Sequence, residues 1–258
     1  MKLIDHPFKD ITFYDETHMY INSTGLKFRS VTGVIHKYTP PFDLEVNAKK
    51  YAEKEGIPVD AVKRDWEAKG EHGSNKGTLV HSVAEDRLTR KVMVTKKIMK
   101  SQKPDTVDAI QMVSLYVKRL LLEDRLVHLV SEFIVYDMLS GVSGMIDQIF
   151  WDRESDSLLI LDWKTSKKIA KNNPFGGKML HPFEDKDDCE FNTYSLQLSL
   201  YKHLIMKATG IPENKIKLQI GWIKETNDDV VIIDVPYLAD EVKYIMDNEI
   251  EVFNNIKK

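Results

Sequence analysis

Two stretches decide how this chain folds: Gly141–Asp152, GVSGMIDQIFWD, and Leu159–Lys167, LILDWKTSK. In an extended chain successive side chains alternate between faces, so Asp162 and Lys164 share one face while Trp163 points to the other. The turn sequence WDRESDS joins the two stretches, and antiparallel pairing about it carries Asp147 to the same edge. Carboxylate oxygens suit Mg2+ or Mn2+, and a lysine beside them can orient an attacking water or neutralise charge developing on phosphorus. The pattern points to a divalent cation held against a phosphodiester, with Asp147, Asp162 and Lys164 as its chemistry. A surface hairpin with an ordinary Asp–Lys pair would show the same spacing, so the triplet needs support from elsewhere.

Support comes from both sides. Upstream, GTLVHSVAEDRL begins at Gly77 and spaces Leu79, Val80, Val83, Ala84 and Leu88 as one side of a helix, with His81 and Glu85 four apart. An imidazole can ligate through its neutral nitrogen, and Glu85 is expected to fix its tautomer or position a water. A helix-surface His–Glu pair is the plain alternative. Downstream, FNTYSLQLSLYKHLIM places Tyr194, Gln197 and Tyr201 one turn apart beside a line of Leu196, Leu200 and Leu204. A buried glutamine needs partners, so Gln197 is expected to bridge to Lys164, a backbone group or a phosphate. It could equally mark the polar margin of a core helix.

Taken together, these segments resemble the PD-(D/E)XK nuclease superfamily, and within it the RecB-like exonuclease branch of phage and bacterial recombination and of mitochondrial genome maintenance. The helical histidine of that branch is matched by His81, its G-x-x-D by Gly144–Asp147, its D-x-K by Asp162–Lys164 and its Q-x-x-x-Y by Gln197–Tyr201. The order holds over residues 77 to 201, and FRSVTGVIHKY resembles a segment that precedes a helix in some members. The strict signature has proline before the first acidic residue, where this chain has Ile146. The resemblance implies a restriction-endonuclease-like α/β core, a central mixed sheet flanked by helices, plus an N-terminal helical cap. It also implies a Mg2+- or Mn2+-dependent deoxyribonuclease, an exonuclease on single-stranded or end-exposed DNA, with recombination or replication proteins as partners. A structure-selective endonuclease, or a DNA-binding or assembly protein on a retired fold, stays open. The metal ligands it implies are His81, Asp147, Asp162 and the Trp163 carbonyl; Lys164, Gln197 and Glu85 assist catalysis, and Tyr201, Lys167, Lys168 and Arg87 meet the substrate.

Composition narrows the classes. With 258 residues, 42% of them apolar, the chain can bury one substantial core. No segment reaches transmembrane length and the first residues lack a signal-peptide core, so the expectation is the cytoplasm of a bacterial or phage-infected cell and no membrane partner. Cys189 is the only cysteine, which excludes an internal disulfide and a four-cysteine iron–sulphur cluster. The net charge of -3 argues against a generally basic, DNA-coating surface. Yet Arg87, Arg90, Lys91, Lys96, Lys97, Lys100 and Lys103 follow one another without an acidic residue, and Lys164, Lys167, Lys168, Lys171 and Lys178 form a second cluster. Either can steer a phosphate backbone or simply solubilise a face.

The remaining pattern predicts a hairpin and short helix over 11–35, helices over 44–55 and from Pro58, and closure of the latter by the glycine-containing EHGSNKG before a separate helix at Gly77. A helix over 106–122, strands over 126–137, 144–151 and 158–165, the Gln197 helix capped by Asn192 or Thr193, a strand pair over 215–223 and 230–235, and a terminal helix over 238–256 complete it. The division expected is 1–75, a hairpin and helical substrate wall with Tyr38, Tyr51 and Trp66 able to stack on bases, and 76–258, the nuclease core. Glu132, in SEFIVYD, is expected to support its neighbouring strand rather than bind metal.

Overall fold

The computed structural model describes residues 10–89, 102–224, 226 and 228–256. Strands β1 (Ile11–Tyr14), β2 (Met19–Asn22) and β3 (Lys27–Ser30) lead into a short helix α1 (Val31–Ile35), then α2 (Leu44–Glu55) and α3 (Val59–Thr89). After α4 (Pro104–Leu122) come three long strands, β4 (Leu126–Asp137), β5 (Val142–Asp152) and β6 (Ser157–Lys164). Helix α5 (Glu190–Thr209), strands β7 (Ile216–Trp222) and β8 (Val231–Asp234), and helix α6 (Ala239–Ile256) follow. Their strands form one mixed sheet in the order β1-β2-β3-β5-β6-β7-β8, with β4 also paired to β5. This is an α/β restriction-endonuclease-like core, with antiparallel β4–β5–β6, a crossover through α5 and parallel pairing of β6 with β7.

The alternation in β6 accounts for the layers. Leu159, Leu161 and Trp163 pack on one side with Val80 and Val83 of α3 and Val113 and Val117 of α4. Leu158 and Ile160 pack on the other with Leu196, Leu200 and Leu204 of α5. Apolar residues at every position from Leu158 to Leu161 therefore mean a strand covered on both faces, as parallel-sheet strands are. Asp162 and Lys164 continue the row that faces α5, which puts their charges at the end of a buried strand.

Three expectations change. The helix from Pro58 does not close at EHGSNKG: α3 is one helix of 31 residues. Gly70, Gly73 and Gly77 each weaken a helix by about 1 kcal/mol relative to alanine, but here the stretch is tied to α4. Buried Lys76 and His72 both reach Asp105, at 3.3 and 2.8 Å, near the start of α4. The junction drawn between residues 75 and 76 thus falls inside a helix. Next, the N-terminal hairpin joins the main sheet, because β3 pairs in parallel with Val142 and Ser143 of β5. Helix α5 begins at Glu190 with Cys189 as its cap residue and no side-chain cap bond, while Asn192 donates to the Asp187 carbonyl instead.

Gly144 shows what its motif requires physically. A Cβ there would stand 2.4 Å from Cε1 of Tyr201 and 3.1 Å from Cγ2 of Val31, so the glycine makes room for the tyrosine ring on α5. Overpacking of this kind costs about 1–3 kcal/mol, and we expect Gly144→Ala to lose that much in urea unfolding. A Tyr201→Leu background should absorb most of the loss, giving a non-additive double-mutant cycle.

Candidate metal centre

Strand β5 offers two edges, and β4 occupies one along its length. The other is shared: β3 takes Val142 and Ser143, and β6 takes Gln148 to Asp152. Residues 144–147 lie in the gap between them. Trp163, two residues past the last β5–β6 pair, would lose its ladder partner on that side. Its N–H instead donates to Asp147 Oδ2 at 2.7 Å. The carboxylate closes the fork where the backbone ladder stops, and a buried N–H is satisfied.

His81 approaches from α3, whose neighbouring Val80, Val83 and Ala84 are buried against the sheet. Its Nε2 is 3.2 Å from the Trp163 carbonyl and its Nδ1 is 3.5 Å from Asp147 Oδ2. A carbonyl can only accept, so Nε2 carries a proton and Nδ1 is the nitrogen presented to Asp147. Trp163 is thereby held at both ends of its backbone unit, and its indole, 1% exposed, packs edge-on to Tyr116 at 5.9 Å. A Cβ at Gly221 would stand 2.5 Å from that indole, so here too a glycine accommodates a motif side chain.

The third member is Glu132. The pairs Ser131↔Gln148 and Phe133↔Ile146 place it across from Asp147, and its φ of 49° is in the left-handed region. That conformation costs a non-glycine residue about 1–3 kcal/mol and concentrates at functional sites. Ligand atoms of His81, Glu132 and Asp147 all lie within 4.8 Å of one another. The expectation that Glu132 merely supports a strand is therefore revised: its carboxylate stands in the cluster. The signal was present in the sequence, since folding 126–137 back on 142–152 brings Glu132 opposite Asp147.

Asp162 stands beside this group, coupled electrostatically to Asp147 and His81, and is ion-paired to Lys164 Nζ at 2.5 Å. Lys164 also donates to Gln197 Oε1 at 3.1 Å and lies 4.7 Å from the Tyr194 ring centroid. Gln197 Nε2 in turn donates to the Tyr201 hydroxyl at 3.0 Å. The ammonium is therefore positioned by α5 on one side and β6 on the other. Tyr201, expected at the substrate, is instead a core residue, 4% exposed and packed against Gly144. Glu85 is half-buried and adds to the negative potential at Glu132. Arg87, Lys167 and Lys168 are exposed, while Arg90, Lys91, Lys96, Lys97 and Lys100 lie outside the described residues. Among the aromatic residues, Tyr38 is buried against Phe183, whereas Tyr51 and Phe42 are exposed around Trp66.

Burial pushes Glu132 up to about 7, with the Asp147 charge adding to it. Burial also lifts Asp162 to about 6, against the pull of Lys164. Asp147 stays low: burial opposes its ionisation, but His81, Lys164 and the Trp163 N–H together outweigh it. Burial likewise opposes a charge on His81, and Asp147 and Asp162 overcome it, raising the ring to about 9. Three carboxylates crowded this closely favour an added positive charge. One imidazole and two carboxylates form an oxygen-rich set that fits a hard or borderline divalent ion, whereas the Trp163 carbonyl, expected among the ligands, takes the His81 Nε2–H on the side of the ring away from Nδ1. When such an ion binds, His81 must give up its proton from Nδ1.

No protein-family model matches the chain, and no curated protein matches it in sequence. Among solved structures it is similar to a candidate exonuclease from Eubacterium rectale, at 13% identity over 88% of this chain and 80% of that one, with a TM-score of 0.38. It is also similar to a protein called SSO0001, at 15% identity over 67% and 74% of the two chains, with a TM-score of 0.29. Scores under 0.5 define neither family nor activity.

Two predictions follow the charges. A carboxyl whose folded pKa of about 7 exceeds its ordinary 4.5 binds more protons folded than unfolded, so the metal-free chain should lose stability as pH rises through that window. Glu132→Gln should remove this loss, gaining about 1 kcal/mol at pH 8 in EDTA and almost nothing at pH 4, as read by urea unfolding. The same substitution, and Asp147→Asn, should weaken Mn2+ binding at least about tenfold in calorimetric titration.

Proposed function

We propose that the chain is a metal-dependent nuclease that hydrolyses phosphodiester bonds in DNA, of the RecB-like PD-(D/E)XK type. The observation that carries this reading is the convergence of His81, Glu132 and Asp147 within 4.8 Å of one another, beside the Asp162–Lys164 pair. His81, through Nδ1, with Glu132 and Asp147 would hold Mg2+ or Mn2+, with Asp162 adjoining. A divalent ion at this place supplies Lewis acidity toward phosphoryl oxygens and acidity toward water.

The chain's own groups account for the rest. Lys164, held by Asp162 and Gln197, presents a fixed ammonium to the charge that builds on phosphorus. Because its position is set before substrate arrives, little reorganisation is needed at the moment of reaction. His81 is oriented by the Trp163 carbonyl, so its ligating nitrogen points at Asp147 without rotation. Exposed Lys167 and Lys168, just beyond the catalytic strand, offer phosphate contacts that position the strand without reading its sequence. Exonuclease action on single-stranded or end-exposed DNA is the activity we favour, on the likeness of motif order to the RecB-like branch.

The test is a time course on end-labelled linear and circular DNA with Mg2+, Mn2+ or EDTA. Wild-type protein should degrade linear strands with Mg2+ or Mn2+, spare circles, and be inactive in EDTA; cleavage of single-stranded circles would assign an endonuclease. Lys164→Ala should lower kcat by about 100-fold or more with KM nearly unchanged. Full metal-dependent cleavage by Asp147→Ala would remove the basis of the proposal.

A further inference from the structure

The segment between β6 and α5 holds a feature that the hydrolytic centre leaves unexplained. Phe175, at its tip, is 94% exposed. Leaving a phenyl ring in water is unfavourable, and here the backbone is organised so that it stays there. Asn173 receives the Phe175 N–H on its side-chain oxygen at 3.0 Å, donates from Nδ2 to the Asp188 carbonyl at 2.8 Å, and gives its own N–H to Asp187 at 2.8 Å. Gly176 follows at a φ of 73°, and Lys178 bridges to Asp187 across the segment. The tip is thus a hydrogen-bonded finger.

Its first stem is basic, while its second carries Glu184, Asp185, Asp187 and Asp188 with Lys186. From Thr165 to Phe183 the sequence has Lys167, Lys168, Lys171 and Lys178 and no Asp or Glu. Lys178 is paired with Asp187, whereas Lys167, Lys168 and Lys171 are exposed and have no ion-pair partner among the described residues. Both stems end in the centre. One begins at Lys164; the other runs into α5, which carries Tyr194 and Gln197. The stems are fastened to each other where they meet, Phe191 N–H to the Ala170 carbonyl at 3.1 Å and Ala170 N–H to Glu190 at 3.1 Å. A second tie runs from the Trp222 indole to the Ser166 carbonyl at 2.8 Å.

We propose that this finger binds the nucleic-acid strand beside the centre, Phe175 stacking on a base while Lys167, Lys168 and Lys171 face the phosphates. An exposed aromatic flanked by exposed lysines, with Lys167 and Lys168 lacking an ion-pair partner among the described residues and Lys171 lying 5.1 Å from the Phe191 ring centroid, fits a polyanion with flat apolar bases better than a lipid or protein surface. The proposal rests on the nucleic-acid reading of the site and adds the element that holds the strand.

The experiment is fluorescence anisotropy of the full chain with a labelled single-stranded oligonucleotide in EDTA, where nothing is cut. Phe175→Ala should weaken binding by about tenfold, in line with the loss of one base–aromatic stack. Phe175→Leu should behave like the alanine variant and Phe175→Trp should keep most of the affinity. Joint replacement of Lys167, Lys168 and Lys171 by Glu should flatten the dependence of log Kd on log salt, by about 0.7 per lost phosphate contact. Unchanged binding by Phe175→Ala, full binding by Phe175→Leu, or a loss seen only with anionic vesicles would overturn the proposal. If the wild type binds no oligonucleotide, the nuclease reading falls with it. If it binds through Phe175 but never cleaves with Mn2+, the finger stands and the nuclease reading fails.

Discussion

The hydrogen bond from the Trp163 N–H to Asp147 is the contact on which the centre depends. Two strands that part must leave backbone groups without ladder partners, and buried groups of that kind are costly. Here the divergence of β5 and β6 is closed by a carboxylate rather than by water. A buried acid thereby gains a structural partner and is kept ionised. The carbonyl of the same residue receives His81, so one residue next to the end of β6 orders two candidate ligands.

The indole of Trp163 anchors that arrangement from behind. It fills the layer between the sheet and helices α3 and α4, and Gly221 on β7 leaves the space it needs. On the opposite face, Gly144 leaves space for Tyr201, which carries Gln197 and through it Lys164. Helix α3 brings His81 and helix α5 brings Gln197 to the charged strand residues from opposite layers, and on each side an aromatic ring packs against a glycine. Close packing makes such braces stiff, since a methylene added at either glycine has nowhere to go.

The centre also carries electrostatic strain. Glu132 is held in a left-handed conformation beside a like charge, and burial keeps both it and Asp162 reluctant to ionise. A folded chain that places these groups together gives up stability which a bound cation would restore. That trade is common where function requires charges to be gathered in a low-dielectric place.

Much of this was legible in the residues alone. Alternation along 158–164 told the two faces of β6 apart, the apolar spacing of α3 and α5 predicted which turn would face the sheet, and the order of His81, Asp147, Asp162, Lys164 and Gln197 suggested a common site. Local pattern suffices there because side-chain direction follows from strand and helix periods. What it could not supply was pairing at a distance. Whether Gly70, Gly73 and Gly77 end a helix depends on Lys76, His72 and Asp105, whose interaction spans some thirty residues. That Tyr201 is core rather than substrate contact depends on Gly144, and that Glu132 joins the cluster depends on register across β4 and β5. The sequence by itself determined where most strands and helices lie and the apolar faces they present, because those follow from local periodicity. Only the tertiary structure decided where two strands part, and an unpaired backbone group at that parting is what draws the carboxylate in.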